Sequence, residues 1–172
     1  QSILSSSPWR RQAGLERLNA IGAVAQGRIL QLPEGVRLAG IHYVSPTANP
    51  EKALVLLLHG WEGSARSSYI QHSAAELLAA GLDVFALNFR DHGETHNLNE
   101  GLFHSCRLQE IVDAAKAVLQ QCRPQRFFVA GYSLGGNFAL RLALAAQREG
   151  LPIDAAFAIC PESNFADFPI QR

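Results

Sequence analysis

Apolar residues along the chain form short continuous runs that alternate with longer stretches at helical spacing. The clearest run, Ala53–Leu58, is entirely aliphatic, which is typical of a strand buried on both faces. Similar runs predict three further strands: Leu82–Phe89, Arg126–Ala130 and Ile153–Cys160. Nearer the start, Arg28–Leu32 and Val36–Val44 flank the turn sequence Pro33-Glu34-Gly35 and predict a β-hairpin.

Helical periodicity fills the spaces between these strands. Apolar residues recur every three or four positions in three stretches: Ser67–Ala80, Ser105–Cys122 and Leu134–Arg148. The polar, glycine-containing stretch Arg90–His104 is expected to be a long loop. A hairpin followed by strands that alternate with helices predicts an α/β fold, with a mostly parallel sheet covered by helices on both faces. Ligands bind such sheets at the carboxyl ends of the strands, so the residues that follow each strand matter most for function.

Composition narrows the class of protein. The chain has 15 Lys and Arg against 15 Asp and Glu, a balance that argues against nucleic-acid binding. No apolar run approaches the roughly 20 residues of a membrane helix, and Gln1–Arg11 lacks the apolar core of a signal peptide. The 3 cysteines are far apart and suggest neither a disulfide framework nor a zinc site. We therefore expect a soluble, globular, cytoplasmic protein.

The most informative motif is Gly131-Tyr132-Ser133-Leu134-Gly135, which lies between a predicted strand and a predicted helix. A G-x-S-x-G sequence in this position predicts a sharp, strained turn that exposes a nucleophilic serine, here Ser133. We expect the Ser133 backbone to be strained, with φ above zero as one form of that strain. The alternative is a glycine-rich turn in which Ser133 only caps the following helix.

A second motif, His59-Gly60-Trp61-Glu62-Gly63, follows the first buried strand. A serine that attacks an acyl group needs two N–H donors for the developing oxyanion. In G-x-S-x-G enzymes these are the backbone N–H after the nucleophile, here Leu134, and one from this early loop, for which Trp61 is the best candidate. We expect His59 to be hydrogen-bonded to backbone at the strand end rather than to act as the base.

A third stretch, Asn88–Gly93 and the residues after it, is rich in polar side chains. His92, Glu94 and His96 alternate, so an extended segment would point all three the same way, as metal ligands do. Their spacing matches no H-E-x-x-H pattern, and a solvated polar loop explains it as well. No metal site is therefore predicted, and none of the motifs calls for a cofactor.

These motifs together resemble the α/β-hydrolase family, and within it the YheT-like esterase/lipase branch. The matching stretches are Gln1–Leu4, Leu56–Ser64, Asn88–Gly93, Phe103–Ser105 and Val129–Asn137. The resemblance implies a serine hydrolase of carboxylic esters, with Ser133 as nucleophile and the backbone N–H groups of Trp61 and Leu134 as the oxyanion hole. The substrate would be a small ester or a lipid-like ester.

The sequence does not supply a complete catalytic triad. In this fold the order along the chain is Ser, then Asp or Glu, then His, yet all 6 histidines precede Ser133. The acids after it include Asp154, Glu162 and Asp167. Glu162 follows a strand but is expected to be a lid or loop residue, because the resembling family places its acid one strand later. We therefore expect residues 1–172 to be the N-terminal part of a single hydrolase domain without its C-terminal βα units, and a poor enzyme alone.

Two other functions are alternatives to ester hydrolysis. One is a non-catalytic hydrolase-like module that binds a small acyl ligand or a protein partner, with an incomplete triad by nature. The other, a nucleotide-binding doubly wound fold, fails because the chain has neither G-x-G-x-x-G after its first strand nor G-K-[ST]. The sequence leaves the oligomeric state open.

Overall fold

Six strands form one mixed sheet, in the order β1-β2-β4-β3-β5-β6. The structure is a computed structural model that describes residues 8–47 and 50–161. The strands are β1 (Val24–Gln31), β2 (Arg37–Val44), β3 (Ala53–Leu58), β4 (Asp83–Leu87), β5 (Arg126–Tyr132) and β6 (Ala155–Ile159). The helices are α1 (Pro8–Ala20), α2 (Ser68–Ala79), α3 (Leu108–Cys122) and α4 (Leu134–Glu149).

The predicted strand directions are confirmed. β4, β3, β5 and β6 are parallel neighbours, while β1 and β2 form an antiparallel hairpin at one edge of the sheet. β2 also pairs antiparallel with β4, which joins the hairpin to the parallel strands. The carboxyl ends of the four parallel strands therefore share one edge of the sheet, where both sequence motifs lie.

Helices cover both faces of the sheet, as the alternation of elements predicted. On one face α3 and α4 pack against a core that includes Phe85, Phe127 and Phe138. On the other, α1 and α2 pack against Val55 and Leu57. β3 is buried along its whole length between the two cores, which explains its continuous aliphatic sequence.

Helix α1 is an element that the sequence patterns did not predict. Only Gly14 and Leu18 of this helix are buried, so it has almost no apolar stripe. Its contact with α2 depends on Gly14, since a Cβ there would lie 2.9 Å from Cβ of Gln71. A helix that packs through a glycine in this way shows only a weak pattern of apolar residues in its sequence.

Three predicted boundaries are also corrected. β1 begins at Val24 rather than Arg28, because it pairs with β2 from Val24 opposite Val44 onward, although most of its residues are exposed. α3 begins at Leu108 rather than Ser105. β6 is shorter than predicted and is not buried, because among the described residues it pairs on one side only. Within the residues that the structure describes, no helix has the length and apolar content to cross a membrane.

Candidate active site

Ser133 lies at the turn between the end of β5 and the start of α4. Its backbone has φ 51° and ψ −115°, a conformation that costs about 1–3 kcal/mol in a residue with a side chain. The Ser133 N–H donates to the Ile159 carbonyl of β6 at 2.9 Å, and the Ser133 carbonyl accepts the Asn137 N–H at 3.0 Å. The Ser133 side chain forms no helix-capping hydrogen bond. The strained turn is therefore confirmed, and the capping alternative has no support.

The two glycines of the motif let three pieces of backbone meet at this turn. A Cβ on Gly131 would lie 2.1 Å from the Gly135 carbonyl oxygen. A Cβ on Gly135 would lie 2.4 Å from the carbonyl oxygen of Leu58 and 2.5 Å from that of His59. Because Cβ atoms do not approach backbone so closely, this junction of β5, α4 and the end of β3 requires glycine at both positions.

The loop after β3 is packed directly against the serine. A Cβ on Gly60 would lie 3.4 Å from Cβ of Ser133. The Gly63 N–H donates to the Gly60 carbonyl at 3.0 Å and closes a β-turn. Glu62, the third residue of that turn, has φ 54°, the positive value that type II turns require there. We call Gly60–Gly63 the β3-end turn; its first residue touches the nucleophile candidate.

His59 supports the β3-end turn from inside the core. Its Nδ1 lies 2.7 Å from the Gly60 carbonyl oxygen, and its Nε2 accepts the Phe89 N–H at 3.2 Å. Since Nε2 accepts, Nδ1 carries the proton and donates. Burial lowers the pKa of His59 to about 3, so the ring is neutral at physiological pH. Both nitrogens are engaged by backbone, as the sequence led us to expect, and neither is available to a substrate.

These contacts also orient the Trp61 N–H. The Gly60 carbonyl is held by the Gly63 N–H and by His59. The structure has no cis peptide bond in the described residues, so the Trp61 N–H points away from that carbonyl. Leu134 is the first residue of α4, where the N–H has no acceptor within the helix. That the Trp61 and Leu134 N–H groups converge beside the Ser133 hydroxyl stays a prediction.

An aromatic cleft of about 400 Å³ opens beside the β3-end turn. Trp61 and Leu102 at this cleft are 58% and 74% exposed. Phe103 lines it and holds its ring 4.8 Å from that of His92 and 6.0 Å from that of Trp61. On its other side Phe103 stacks on Phe89 at 5.5 Å. The cleft thus has a firm aromatic wall next to an exposed apolar rim.

A nearly buried ion pair holds the long loop that carries Phe103 in place. Arg90 is nearly buried, and its guanidinium contacts the Glu110 carboxylate of α3 at 2.9 Å and 3.0 Å. Its Nη1 also donates to the Glu100 carbonyl at 2.6 Å. This ion pair was not predictable from the sequence, because its partners are 20 residues apart and no local pattern links them.

The alternating polar residues of the loop are not gathered around one point. Nδ1 of His92 bonds the Arg90 carbonyl at 2.8 Å, whereas Nδ1 of His96 pairs with the Asp91 carboxylate. Among the described residues, no three His, Cys, Asp or Glu side chains are grouped as a metal ion would require. The metal-site alternative therefore has no support here.

Of the acids Asp154, Glu162 and Asp167, the structure describes Asp154, whose carboxylate is engaged elsewhere. Asp154 precedes β6 at the opposite edge of the sheet, where it accepts from the Phe127 N–H and from Arg126, both at 2.7 Å. The Phe127 N–H, and then Arg126, lower the pKa of the Asp154 carboxyl. The other two acids, Glu162 and Asp167, lie outside the described residues.

The chain is similar to known proteins over part of their length. The chain is 26% identical to YheT of Escherichia coli (strain K12) over 76% of its own length and 38% of that protein. It is 29% identical to the pimeloyl-[acyl-carrier protein] methyl ester esterase of Nitrosomonas europaea, over 63% of the chain and 37% of that protein. The chain thus spans well under half the length of these curated relatives.

A solved structure and a family model agree with the fold. The structure of the Pyrococcus furiosus esterase Pf2001 superposes with a TM-score of 0.68 at 20% identity, over 84% of this chain and 51% of that chain. The model of the alpha/beta hydrolase fold matches residues 53–170, which include both motifs. The chain therefore belongs to the alpha/beta hydrolase fold family and resembles its YheT-like, esterase branch.

Proposed function

We propose that this chain is the N-terminal part of a single α/β-hydrolase domain, and that the whole domain hydrolyses carboxylic esters with Ser133 as nucleophile. The observation that carries the proposal is the strained turn at Ser133, with φ 51° and ψ −115°. A serine that served only packing or capping would need neither this conformation nor the three-way backbone contact around it. The esterase-like relatives support the same reaction class.

In the proposed reaction the Ser133 Oγ attacks the ester carbonyl carbon while its proton passes to a base. The negative charge on the carbonyl oxygen is stabilised by the backbone N–H groups of Trp61 and Leu134. The intermediate then collapses, the C–O bond breaks, and the alcohol leaves with the proton held by the base. Water attacks the acyl-serine in the second half of the cycle, which releases the carboxylic acid and restores Ser133.

The base and its acid partner are proposed to come from βα units that follow these 172 residues. All 6 histidines of the chain precede Ser133, and His59, next to the β3-end turn, is neutral and bonded to backbone through both nitrogens. Each further βαβ unit needs roughly 30 residues, and the match covers only 38% of the E. coli relative, which leaves room for such units. Without a base the serine hydroxyl is barely ionised, so we expect the isolated chain to hydrolyse esters very slowly.

The aromatic cleft is the proposed site for the non-reacting part of the substrate. Trp61, Leu102 and Phe103 offer apolar surface to an acyl or alkyl chain. The acidic side chains that line the cleft are those of Glu62 and Asp91, and none of the lining residues is Lys or Arg. A small or lipid-like ester that is neutral at this end therefore fits better than one with a carboxylate.

A matched pair of serine variants in the full-length protein tests the proposal. Ser133→Ala should abolish p-nitrophenyl butyrate hydrolysis, because the acyl-enzyme cannot form. A residual rate at least about 10³-fold below that of the wild-type protein agrees with the proposal, since substrate binding and oxyanion stabilisation survive. Ser45→Ala makes the same chemical change at the opposite edge of the sheet, where Ser45 bonds the Leu78 carbonyl, and should keep the rate. If full-length protein with all its residues shows no ester hydrolysis and no serine labelling, the non-catalytic alternative is correct.

A further inference from the structure

The hydroxyl of Tyr69, the second residue of α2, lies inside the β3-end turn. It accepts the Gly60 N–H at 2.9 Å. A Cβ on Gly63 would lie 2.5 Å from the same oxygen, and a Cβ on Gly60 would lie 3.6 Å from it. The glycine at position 63 therefore leaves the space that this phenol occupies.

The same helix also holds the residue before the nucleophile. The rings of Tyr69 and Tyr132 are 5.0 Å apart, and the Tyr132 hydroxyl is hydrogen-bonded to the Ser73 hydroxyl of α2. The Ser73 hydroxyl also donates to the Tyr69 carbonyl at 2.8 Å. One turn of α2 thus contacts both Tyr132, which is bonded to Ser133, and Gly60, which is bonded to Trp61.

The electrostatic state of Tyr69 suits a fixed acceptor. Burial raises the pKa of its phenol, which also shares a hydrogen bond with the Ser67 side chain. The phenol is therefore protonated at neutral pH and uses an oxygen lone pair for the Gly60 N–H. Because that N–H is already bonded, it cannot serve a substrate oxygen, and the next N–H of the turn is that of Trp61.

We propose that Tyr69 is a positioning residue for ester hydrolysis: by holding the His59–Gly60 peptide through the Gly60 N–H, it restrains rotation at Gly60, so that the next peptide keeps the Trp61 N–H facing the oxyanion. Three contacts hold Gly60: Tyr69 on its N–H, and His59 and Gly63 on its carbonyl. Tyr69 acts through Gly60 and does not touch the substrate. This inference rests on the proposed function, because its kinetic effect requires that the Trp61 N–H stabilise the transition state.

Tyr69→Phe in the full-length protein is the test, because it keeps the ring against Tyr132 and removes only the hydroxyl. We expect kcat to fall about tenfold, less than the 10²–10³-fold loss seen when an oxyanion donor is removed outright. KM should stay within about twofold, because the contact matters in the transition state. The inhibition constant of phenylboronic acid, whose serine adduct has a tetrahedral boron with an oxygen in the oxyanion position, should rise by about the same factor as kcat falls.

Tyr43→Phe is the matched control, since Tyr43 is buried on β2 away from the β3-end turn. It should leave kcat, KM and boronic acid inhibition unchanged. Equal kinetic losses in both variants, or a Tyr69→Phe enzyme with wild-type kcat, would overturn the inference. If Ser133→Ala still hydrolyses ester at the wild-type rate, it is the proposed function that fails.

A measurement on the wild-type protein covers the case in which Tyr69→Phe does not fold. The Gly60 amide proton should exchange slowly with solvent by ¹⁵N NMR, because it is bonded within the protein. In a folded Tyr69→Phe variant its exchange should accelerate at least about tenfold while core amides of β3 keep their protection. A wild-type Gly60 amide that exchanges as fast as a freely exposed amide contradicts the assigned contact, whatever the variant does.

Discussion

The elbow at the end of β5 and the neighbouring edge strand β6 lie side by side in the sheet but are built in opposite ways. At the elbow, backbone meets backbone: Gly131 contacts the Gly135 region, and Gly135 contacts the last residues of β3 so closely that no side chain fits. Ser133 is held there by hydrogen bonds on both its N–H and its carbonyl. Close backbone contacts and these two hydrogen bonds together fix the conformation of the elbow.

The β6 edge is open. Phe157 and Ile159 are 56% and 39% exposed, and with Phe128 and Tyr132 of β5 they line an apolar groove of about 600 Å³ beside α2. Soluble monomers rarely leave a large contiguous apolar surface uncovered. The contacts that hold Ser133 and the β3-end turn thus lie within the described residues, whereas the described residues leave apolar surface uncovered along β6. That is what the proposed N-terminal part of a larger domain would look like.

A substitution at Gly135 should disrupt the close packing at the elbow. Gly135→Ala would place a methyl group 2.4 Å from the Leu58 carbonyl oxygen, which is backbone and cannot move aside cheaply. We expect the free energy of unfolding to fall by about 3 kcal/mol or more, the range of severe overpacking, and ester hydrolysis by the full-length protein to be lost. Urea denaturation of the wild-type protein and of the variant measures the change in the free energy of unfolding.

Gly27→Ala in β1 provides the control for that substitution. A Cβ on Gly27 has nothing within 4 Å, so alanine should be neutral or stabilise by about 0.5–1 kcal/mol. If Gly135→Ala lowers the free energy of unfolding no more than Gly27→Ala does, the close backbone packing described at the elbow is contradicted.

A smaller loss is expected at His59, which supports the β3-end turn from the core. His59→Ala should lower kcat of the full-length protein about 10- to 100-fold, by loosening the turn rather than by removing a base. The shape of the pH–rate profile should therefore stay the same. A profile that loses a limb near pH 6–7 in the variant would show that His59 takes part in proton transfer after all.

His59 should also make stability depend on pH. Its pKa is about 3 in the folded chain against 6.5 for an unperturbed histidine, so between these values the unfolded state binds the extra proton. Stability should therefore be fully present above pH 6.5 and fall as pH drops toward 3, by up to about 1.4 kcal/mol per pH unit. Denaturation at several pH values should show a shallower dependence for His59→Ala than for the wild-type protein.

The smallest effect on stability is expected at the open edge. Phe157→Ser should change the free energy of unfolding of the 172-residue chain by less than about 0.5–1 kcal/mol, because the side chain is half exposed. It should, however, reduce concentration-dependent association measured by sedimentation velocity, because it shrinks the exposed apolar surface. Leu144→Ser removes another exposed apolar side chain, on α4 and away from the groove, and should leave association unchanged. Equal effects of the two variants would show that the groove has no special role.

The sequence predicts the central part of this molecule better than its edges. The aliphatic run of β3, the G-x-S-x-G turn and the strong periodicity of α3 are local signals, so the parallel strands and the strained serine were predictable. Helix α1 was not, because it packs through Gly14 rather than through an apolar stripe. The exposure of β6 was not either, because an edge strand and a central strand can have the same apolar composition.

Among the contacts of the site, the unpredicted ones join residues that are distant in sequence. The hydrogen bond from Gly60 to Tyr69 spans 9 residues, and the pair between Arg90 and Glu110 spans 20. No periodicity or motif records such partners. His59 was predictable as a backbone-bonded residue from its place at a strand end, but its effect on the Trp61 N–H became visible only with the peptide geometry.

The central claim, that Ser133 is the nucleophile, is tested most directly by labelling the full-length protein with a fluorophosphonate and locating the adduct by mass spectrometry. This reagent forms a covalent bond with an activated serine and with little else. We predict a single adduct on the tryptic peptide 127–141, which contains Ser133, and its loss in Ser133→Ala with retention in Ser45→Ala. An adduct on a different residue, or undiminished labelling of Ser133→Ala, would contradict the account.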